Sequence, residues 1–432
     1  MGEEGEMTSR ERLKAALEHR PVDKIPLDLG STPVTGISAL SLSKLRKALG
    51  LEERPVKVHE PYQILGWMDE DVLEALEVDV VGIWLPGTLL GFRNTGRWKP
   101  WRYYDGTELL ISEEAYFTED DAGNLYSHPE GPGSRASAKL PKGGFYFDAL
   151  IYQEPVDPAR LDPEDFVEQT YPLLSEDDLR AVESQAEDLY DNTDYGLIGN
   201  FGGAGLGDIA IVPGPFLDRP RGIRDPEQWY MALVLHRDYI REIFELQTER
   251  AIRNLELYRQ AVGDRIQVIF LSGTDFGGQE GLLVSPDLFR ELWKPFYRRI
   301  NDWVHRNTSW KTFYHSCGSV VELLDDFVDM GVDILNPVQI SARGMDPKFL
   351  KERYGDKLTF WGGGVDTQRT LPFGSPEDVE REVRENTEIF GRGSGFVFNT
   401  VHNVQANVPV ENLLAMFQAF DEVREVERWR RP

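Results

Sequence analysis

The sequence predicts an α/β protein, a (β/α)8 barrel of the TIM type with an antiparallel hairpin insertion in its N-terminal half. Three observations carry that expectation. Short β-branched and aromatic runs alternate with helical segments through residues 195–423, at spacings of about 20 to 45 residues, the βα rhythm of a parallel sheet. Several of these runs end in turns bearing glycine or polar residues, where such folds display their chemistry. The length, 432 residues, suits one large barrel with insertions or two domains. The expected organisation is a single barrel domain over residues 1–432 with a β-rich insertion at 85–150, and an open doubly wound sheet is the competing architecture.

In chain order, Thr8 or Ser9 caps a helix over residues 8–17, with Glu11 in its first turn, facing the dipole favourably. Arg20-Pro21 ends it, and residues 25–30 read as the first strand. A helix over 41–49 closes at Gly50, and a helix over 71–76 precedes a strand over 78–81. Between residues 84 and 148 the helical period vanishes, and aromatic residues alternate with turn signals at Asp105-Gly106, Ala122-Gly123-Asn124 and Gly143-Gly144. Such hairpins can roof a site, cover barrel surface or make a subunit contact. An acidic helical stretch over 158–190 leads to a strand over 195–200.

The glycine-rich loop from Gly202 to Gly207 follows that strand and suits close approach of backbone to a ligand or another loop. It lacks the Lys and Ser/Thr of a P-loop. One or two helices over 229–261, a strand over 266–271 and a long helix over 285–305 come next. Then strands over 311–314, 332–336, 358–362 and 395–399 alternate with helices over 319–330, 347–354, 376–389 and 410–423.

Composition narrows the function classes. Forty-seven basic against 74 acidic side chains leave a net charge of −27, which argues against non-specific binding of nucleic acid or anionic membrane. One cysteine excludes a disulfide framework and a four-cysteine zinc site within one chain. Residues 1–11 are polar without the apolar core of a signal peptide, and no stretch reaches about 20 apolar residues, so a cytoplasmic protein is expected. Monomer and homodimer are both compatible with the sequence.

The candidate chemistry centres on His315-Ser316-Cys317-Gly318, between the strand over 311–314 and its helix. A soft thiolate two residues from an imidazole can form half of a zinc site, because both side chains can converge from one tight turn. The pair can equally be a nucleophile and its base, or a buried cysteine beside an incidental histidine.

This stretch is part of a wider resemblance. His315-Ser316-Cys317-Gly318, the run from Gly331 to Gln339, Tyr354-Gly355-Asp356-Lys357-Leu358, Trp361-Gly362-Gly363-Gly364-Val365-Asp366 and Val401-His402-Asn403-Val404-Gln405 together resemble the uroporphyrinogen decarboxylase-like superfamily. Within it the motifs are most similar to the corrinoid-linked methyltransferases. The resemblance is dense over residues 264–420 and loose over the first 80.

It implies a barrel that holds zinc through a His, a Cys two residues on, and a later Cys. The first two fall on His315 and Cys317. The later cysteine is absent, and Thr400-Val401-His402 stands in its place, so His402 is the implied third ligand. Asp275 and Asp366 are the implied catalytic carboxylates, as general base, substrate anchor or, for Asp366, the group that orients His315. The alternative for Asp275 is a loop cap. Asn336, Gln339 and Tyr314 are candidates for lining the cofactor pocket, with a polar network or plain packing as their structural alternatives.

The implied activity is metal-assisted transfer of a methyl group between a small methylated substrate or thiol and a corrinoid such as methylcobalamin, carried on a separate corrinoid-binding protein. The arginine-rich N-terminal segment with which true uroporphyrinogen decarboxylases grip carboxylates is missing, with residues 30–36 in its place. A decarboxylase or lyase without a metal is the alternative reading, and a barrel subunit without catalysis is the third.

Overall fold

The computed structural model describes residues 6–425. Of the polar N-terminal stretch, residues 1–5 therefore lie outside the described chain. The core is a parallel sheet of seven strands: β1 (Val80–Trp84), β2 (Gly196–Asn200), β3 (Val268–Ser272), β4 (Lys311–His315), β5 (Ile334–Asn336), β6 (Thr359–Trp361) and β7 (Phe396–Val397). Each strand pairs with its neighbour in sequence, from β1 at one end to β7 at the other. An unbroken order of this kind has no reversal point, which removes the doubly wound alternative.

The closed eight-stranded barrel expected from the sequence is not formed. The sheet curls into a half-barrel that stays open, with a 9 Å gap between its ends. Residues 25–30, expected as the first strand, lie there without forming one. Leu27 and Asp28 touch Phe398 and Val80 only through isolated bridges. The chemistry of this segment explains the failure. Pro26 has no N–H to donate, and the Leu27 N–H donates to the Asp79 carboxylate (2.8 Å) rather than to a backbone carbonyl.

Side-chain alternation then separates two layers inside the curl. Val80, Ile198, Val268, Phe313, Ile334, Trp361 and Val397 form a buried apolar cluster. Two residues further along their strands, the same inward face carries Asn200, His315 and Asn336, with Asn399 just past β7. The apolar layer closes the bottom and the polar ring forms the floor of a site at the carboxyl ends.

The helix Ser9–Leu17 plugs the bottom, with Leu13 and Leu17 in the interior cluster. Thr8 caps it in a reciprocal box with Glu11, as its sequence demands. A Cβ at Gly196 would stand 2.4 Å from Leu13 Cδ2, so that close approach requires glycine. Arg12 anchors the plug, reaching Asp23 (2.7 Å) and Asp79 (2.6 Å).

The insertion folds as two small sheets. Phe117–Glu119, Leu125–Ser127, Ala138–Leu140 and Asp148–Ala149 form an antiparallel meander. Trp98–Arg102 and Glu108–Ser112 form a hairpin turning at Gly106, whose φ is +92°. That hairpin extends a strand the sequence reading missed, Val56–Glu60, which pairs in parallel with Glu108–Ser112. The helix expected over 285–305 is two, Pro286–Leu292 and Lys294–Asn307, because Pro295 cannot continue the first.

Candidate metal centre

β4 delivers His315 to the inner ring, and the turn after it is fastened from three sides. The Ser316 N–H donates to the Asn336 carbonyl (2.7 Å), and the Cys317 N–H to Asp275 Oδ1 (2.7 Å). The Gly318 N–H donates to Gln339 Oε1 (2.7 Å). Gly318 sits at φ +84°, and a Cβ there would come 2.3 Å from the Gly277 carbonyl carbon. Only glycine lets the loop after β3 and the loop after β4 approach so closely.

Asn336 sets the proton on His315. Its Nδ2 donates to the Trp361 carbonyl (2.9 Å), so its Oδ1 is left as acceptor, 2.6 Å from His315 Nδ1. The proton therefore sits on Nδ1, and the Nε2 lone pair faces Cys317 Sγ at 3.3 Å. His402 arrives from the loop after β7, its ring 5.1 Å from that of His315 at an interplanar angle of 79°. Its loop is fastened to the N-terminal segment by Asn403. Asn403 Oδ1 accepts from the Gly36 N–H (2.6 Å), and Nδ2 donates to the Pro33 carbonyl (2.9 Å) and Gln63 Oε1 (2.8 Å).

One ligand atom from each of His315, Cys317 and His402 lies within 4.8 Å of the other two. Tetrahedral zinc with bonds of about 2.0 to 2.3 Å needs donors about 3.3 to 3.8 Å apart, so the trio fits an ion after small adjustment. Burial holds His315 down to about 4 and His402 to about 3, which leaves both rings neutral, the form a metal requires. Burial, then the neighbouring Asp275 carboxylate, pushes the Cys317 thiol well up. A nearby cation reverses that trend, and among the described residues no Lys or Arg acts on the thiol to stabilise a metal-free thiolate. One contact must change on loading: the Asn403 N–H donates to His402 Nδ1 (2.7 Å). A metal at Nδ1 displaces that bond, and a metal at Nε2 requires the ring proton to move to Nδ1.

The other candidates divide. Asp275 borders the cluster, with Oδ1 3.8 Å from His315 Nε2 and its side chain one-third exposed. Burial raises its pKa. Asn336 and Gln339 support the turn as described. Asp366 does not reach His315: its Oδ1 accepts from the Gln368 N–H (2.9 Å) and caps its own loop, and Asn336 performs the orienting role instead. Tyr314 also stands apart. As the neighbour of an inward residue it points outward, donating to Asn301 Oδ1 (2.9 Å) and packing on Tyr297.

Two residues were missed. Asp208 follows the Gly202 to Gly207 loop, and its Oδ2 lies 3.1 Å from where a Cβ on Gly273 would stand, bringing it beside Asp275. A carboxylate directly after a glycine-rich strand end was the available signal. Glu60, at the end of the unrecognised strand Val56–Glu60, offered none.

Residues 219–423 match the uroporphyrinogen decarboxylase (URO-D) family model. Over 72 residues the chain is 35% identical to a uroporphyrinogen decarboxylase from Methylococcus capsulatus, covering 17% of this chain and 20% of that one. Over 62 residues it is 37% identical to one from Pseudoalteromonas atlantica, covering 14% and 17%. The chain thus matches a fifth or less of the length of these relatives. Its fold is similar to that of a methyltransferase from Methanosarcina mazei, at a TM-score of 0.56 and 19% identity, over 96% of this chain and 99% of that one. The resemblance read from the motifs is therefore met twice, in sequence by the URO-D segment and in fold by a methyltransferase. Among the described residues no helix is long and apolar enough to cross a membrane.

Proposed function

We propose that the protein is a metal-assisted methyltransferase, moving a methyl group between a small methylated substrate or thiol and a corrinoid held by a separate protein. The observation that carries this reading is the convergence of His315, Cys317 and His402 from two loops onto one point at the mouth of the half-barrel. The methyltransferase-like fold supports it.

The chain's own residues have definable tasks. Asn336 keeps the proton on His315 Nδ1 and the Nε2 lone pair turned inward. Asp275 and Gln339 hold the backbone of the Cys317 turn, so the thiol is presented without reorganisation. Asp275 also keeps a partly exposed carboxylate beside the cluster, where it can take a proton from an incoming thiol or ammonium. When bound, zinc acts as a Lewis acid that favours the ionised form of an acceptor thiol or polarises a methylated donor. Gly318 and the loop after β3 close the outer side of the turn.

The test is elemental analysis joined to an activity assay. About one zinc per chain, lost together with methyl transfer from methylcobalamin to a thiol in Cys317→Ala and His402→Ala, is expected. The second reading, a decarboxylase that uses no metal, draws on the relatives' names. It predicts activity that survives complete metal removal.

A further inference from the structure

The loop that carries His402 is backed by chain from the N-terminal half of the molecule. The Val404 N–H donates to the Gly36 carbonyl (2.9 Å), and the Val404 carbonyl accepts the Ser38 N–H (2.8 Å). Residues 36–39 are tied in turn to the segment after Val56–Glu60. The Gly66 N–H reaches the Ile37 carbonyl (2.9 Å), and the Ala39 N–H reaches the Ile64 carbonyl (2.8 Å). Leu65–Gly66 pairs antiparallel with Val56–Glu60, which pairs with the insertion strand Glu108–Ser112. A backbone ladder therefore runs from the insertion to the loop of His402.

One side chain bridges across that ladder. Glu60 accepts the N–H groups of Tyr62 (3.1 Å) and Gln63 (2.8 Å), which holds the turn from which Gln63 projects. Gln63 Nε2 donates to the Pro33 carbonyl (3.0 Å), and Oε1 accepts from Asn403 Nδ2 (2.8 Å). Asn403 Nδ2 donates to the same Pro33 carbonyl (2.9 Å), while Oδ1 accepts the Gly36 N–H (2.6 Å). A carbonyl can only accept, so Pro33 fixes the orientation of both amides. The Asn403 N–H then meets His402 Nδ1 (2.7 Å), which completes a path from Glu60 through Gln63 and Asn403 to the imidazole.

The backbone beside Gln63 carries a second sign. Ile64 is fully buried at φ +56°, in the left-handed region where a β-branched residue is strained. Such strain persists only where its surroundings hold it, and it clusters at functional sites. Here it lies in the turn that presents Gln63.

We propose that Gln63 is a positioning residue for His402, and that the insertion, through the ladder ending at Val404, is the backing of the third donor of the candidate metal centre. The inference rests on the methyl-transfer reading for its meaning in catalysis, while its geometry stands on hydrogen bonds alone. The three donor atoms lie within 4.8 Å of one another, and a tetrahedral ion needs them closer, so a loop released from its backing loses the approach.

Three variants and two readings test it. Gln63→Leu keeps the volume and removes both bonds, and Gln63→Glu keeps the acceptor for Asn403. Gln267→Leu is the control, removing a similar clamp on the Leu197 N–H (2.8 Å) and the Arg265 carbonyl (3.1 Å) at the bottom of the sheet. In Gln63→Leu, zinc affinity by chelator competition is expected to fall about tenfold, with X-ray absorption showing one imidazole nitrogen lost and the sulfur kept. In the metal-free chain, hydrogen exchange at the Asn403 amide is expected to quicken about fivefold. Gln63→Glu is expected to stay within about threefold of the parent in both, and Gln267→Leu to change neither. Unchanged affinity or unchanged exchange in Gln63→Leu, or equal changes in Gln267→Leu, overturns the inference. Should Gln63→Leu not fold, Gln63→Glu decides, because loss of the Pro33 bond alone must quicken exchange at Asn403. A parent chain that takes up no zinc overturns the transfer reading, and the exchange comparison then decides the clamp by itself.

Discussion

The polar groups of the C-terminal half and those of the N-terminal half are supported in opposite ways. On the C-terminal side every donor is backed by a hydrogen bond that fixes its position or its proton: Asn336 behind His315, Asp275 and Gln339 behind the Cys317 turn, Asn403 behind the His402 loop. On the N-terminal side, among the described residues, Glu60 and Asp208 have backbone N–H donors but no Lys or Arg partner, and the buried Asn200 Oδ1 has no donor. Groups satisfied within the chain hold a fixed geometry, whereas buried groups left incompletely satisfied cost free energy. The difference teaches that the chain itself positions the candidate metal donors, while the carboxylates and amide oxygen on the other side are left incompletely answered.

The comparison breaks most visibly at the sulfur. Cys317→Ala removes the one soft donor, and metal analysis is expected to show zinc falling from about one per chain to background, with methyl transfer lost. Asn336→Leu leaves the ligands in place but removes the acceptor for the His315 Nδ1 proton. Zinc affinity, read by chelator competition, is expected to fall about 10- to 100-fold.

Opposite pH responses sharpen the contrast further. Asp208 has its folded pKa raised to about 7 from 3.8, so stability is full below about 4 and is lost as pH rises through 7. Asp208→Asn escapes that loss and is expected to be more stable than the parent at pH 8 by roughly 1 to 3 kcal/mol, after allowance for partial exposure, and by much less at pH 5. The metal-free histidines behave in reverse. His315 and His402 are held down to about 4 and 3, so the unfolded chain takes up protons that the folded chain refuses, and stability falls as pH drops from about 6.5 toward 4. Thermal unfolding across pH 4 to 8 measures both. The last effect is mechanical. Asn403→Ala loosens the His402 loop and should cost about 1 to 3 kcal/mol in urea unfolding, with a weaker zinc site but an intact half-barrel.

The C-terminal half was legible because its signals are local. Strand, glycine turn and helix follow one another within about 20 residues, and His315 with Cys317 marks its own turn. His402 entered as a candidate ligand only through the resemblance, since nothing local in Thr400-Val401-His402 announces one. Closure of the sheet was not legible. Ile25-Pro26-Leu27 has strand-like composition, but the competition of the Asp79 side chain for the Leu27 N–H is a contact across 52 residues. The strand that carries Glu60 was hidden for a similar reason: Val56–Glu60 is a strand only because Glu108–Ser112 lies beside it. Asp366 and Tyr314 were drawn toward the site by their neighbours in sequence, whereas loop capping and the alternation of β4 turn them elsewhere.

X-ray absorption at the zinc edge of the metal-loaded chain asks the decisive question. One sulfur at about 2.3 Å with two imidazole nitrogens at about 2.0 Å, the sulfur vanishing in Cys317→Ala and one nitrogen in His402→Ala, is the predicted result. A zinc shell of oxygen and nitrogen alone, unchanged in both variants, would contradict it.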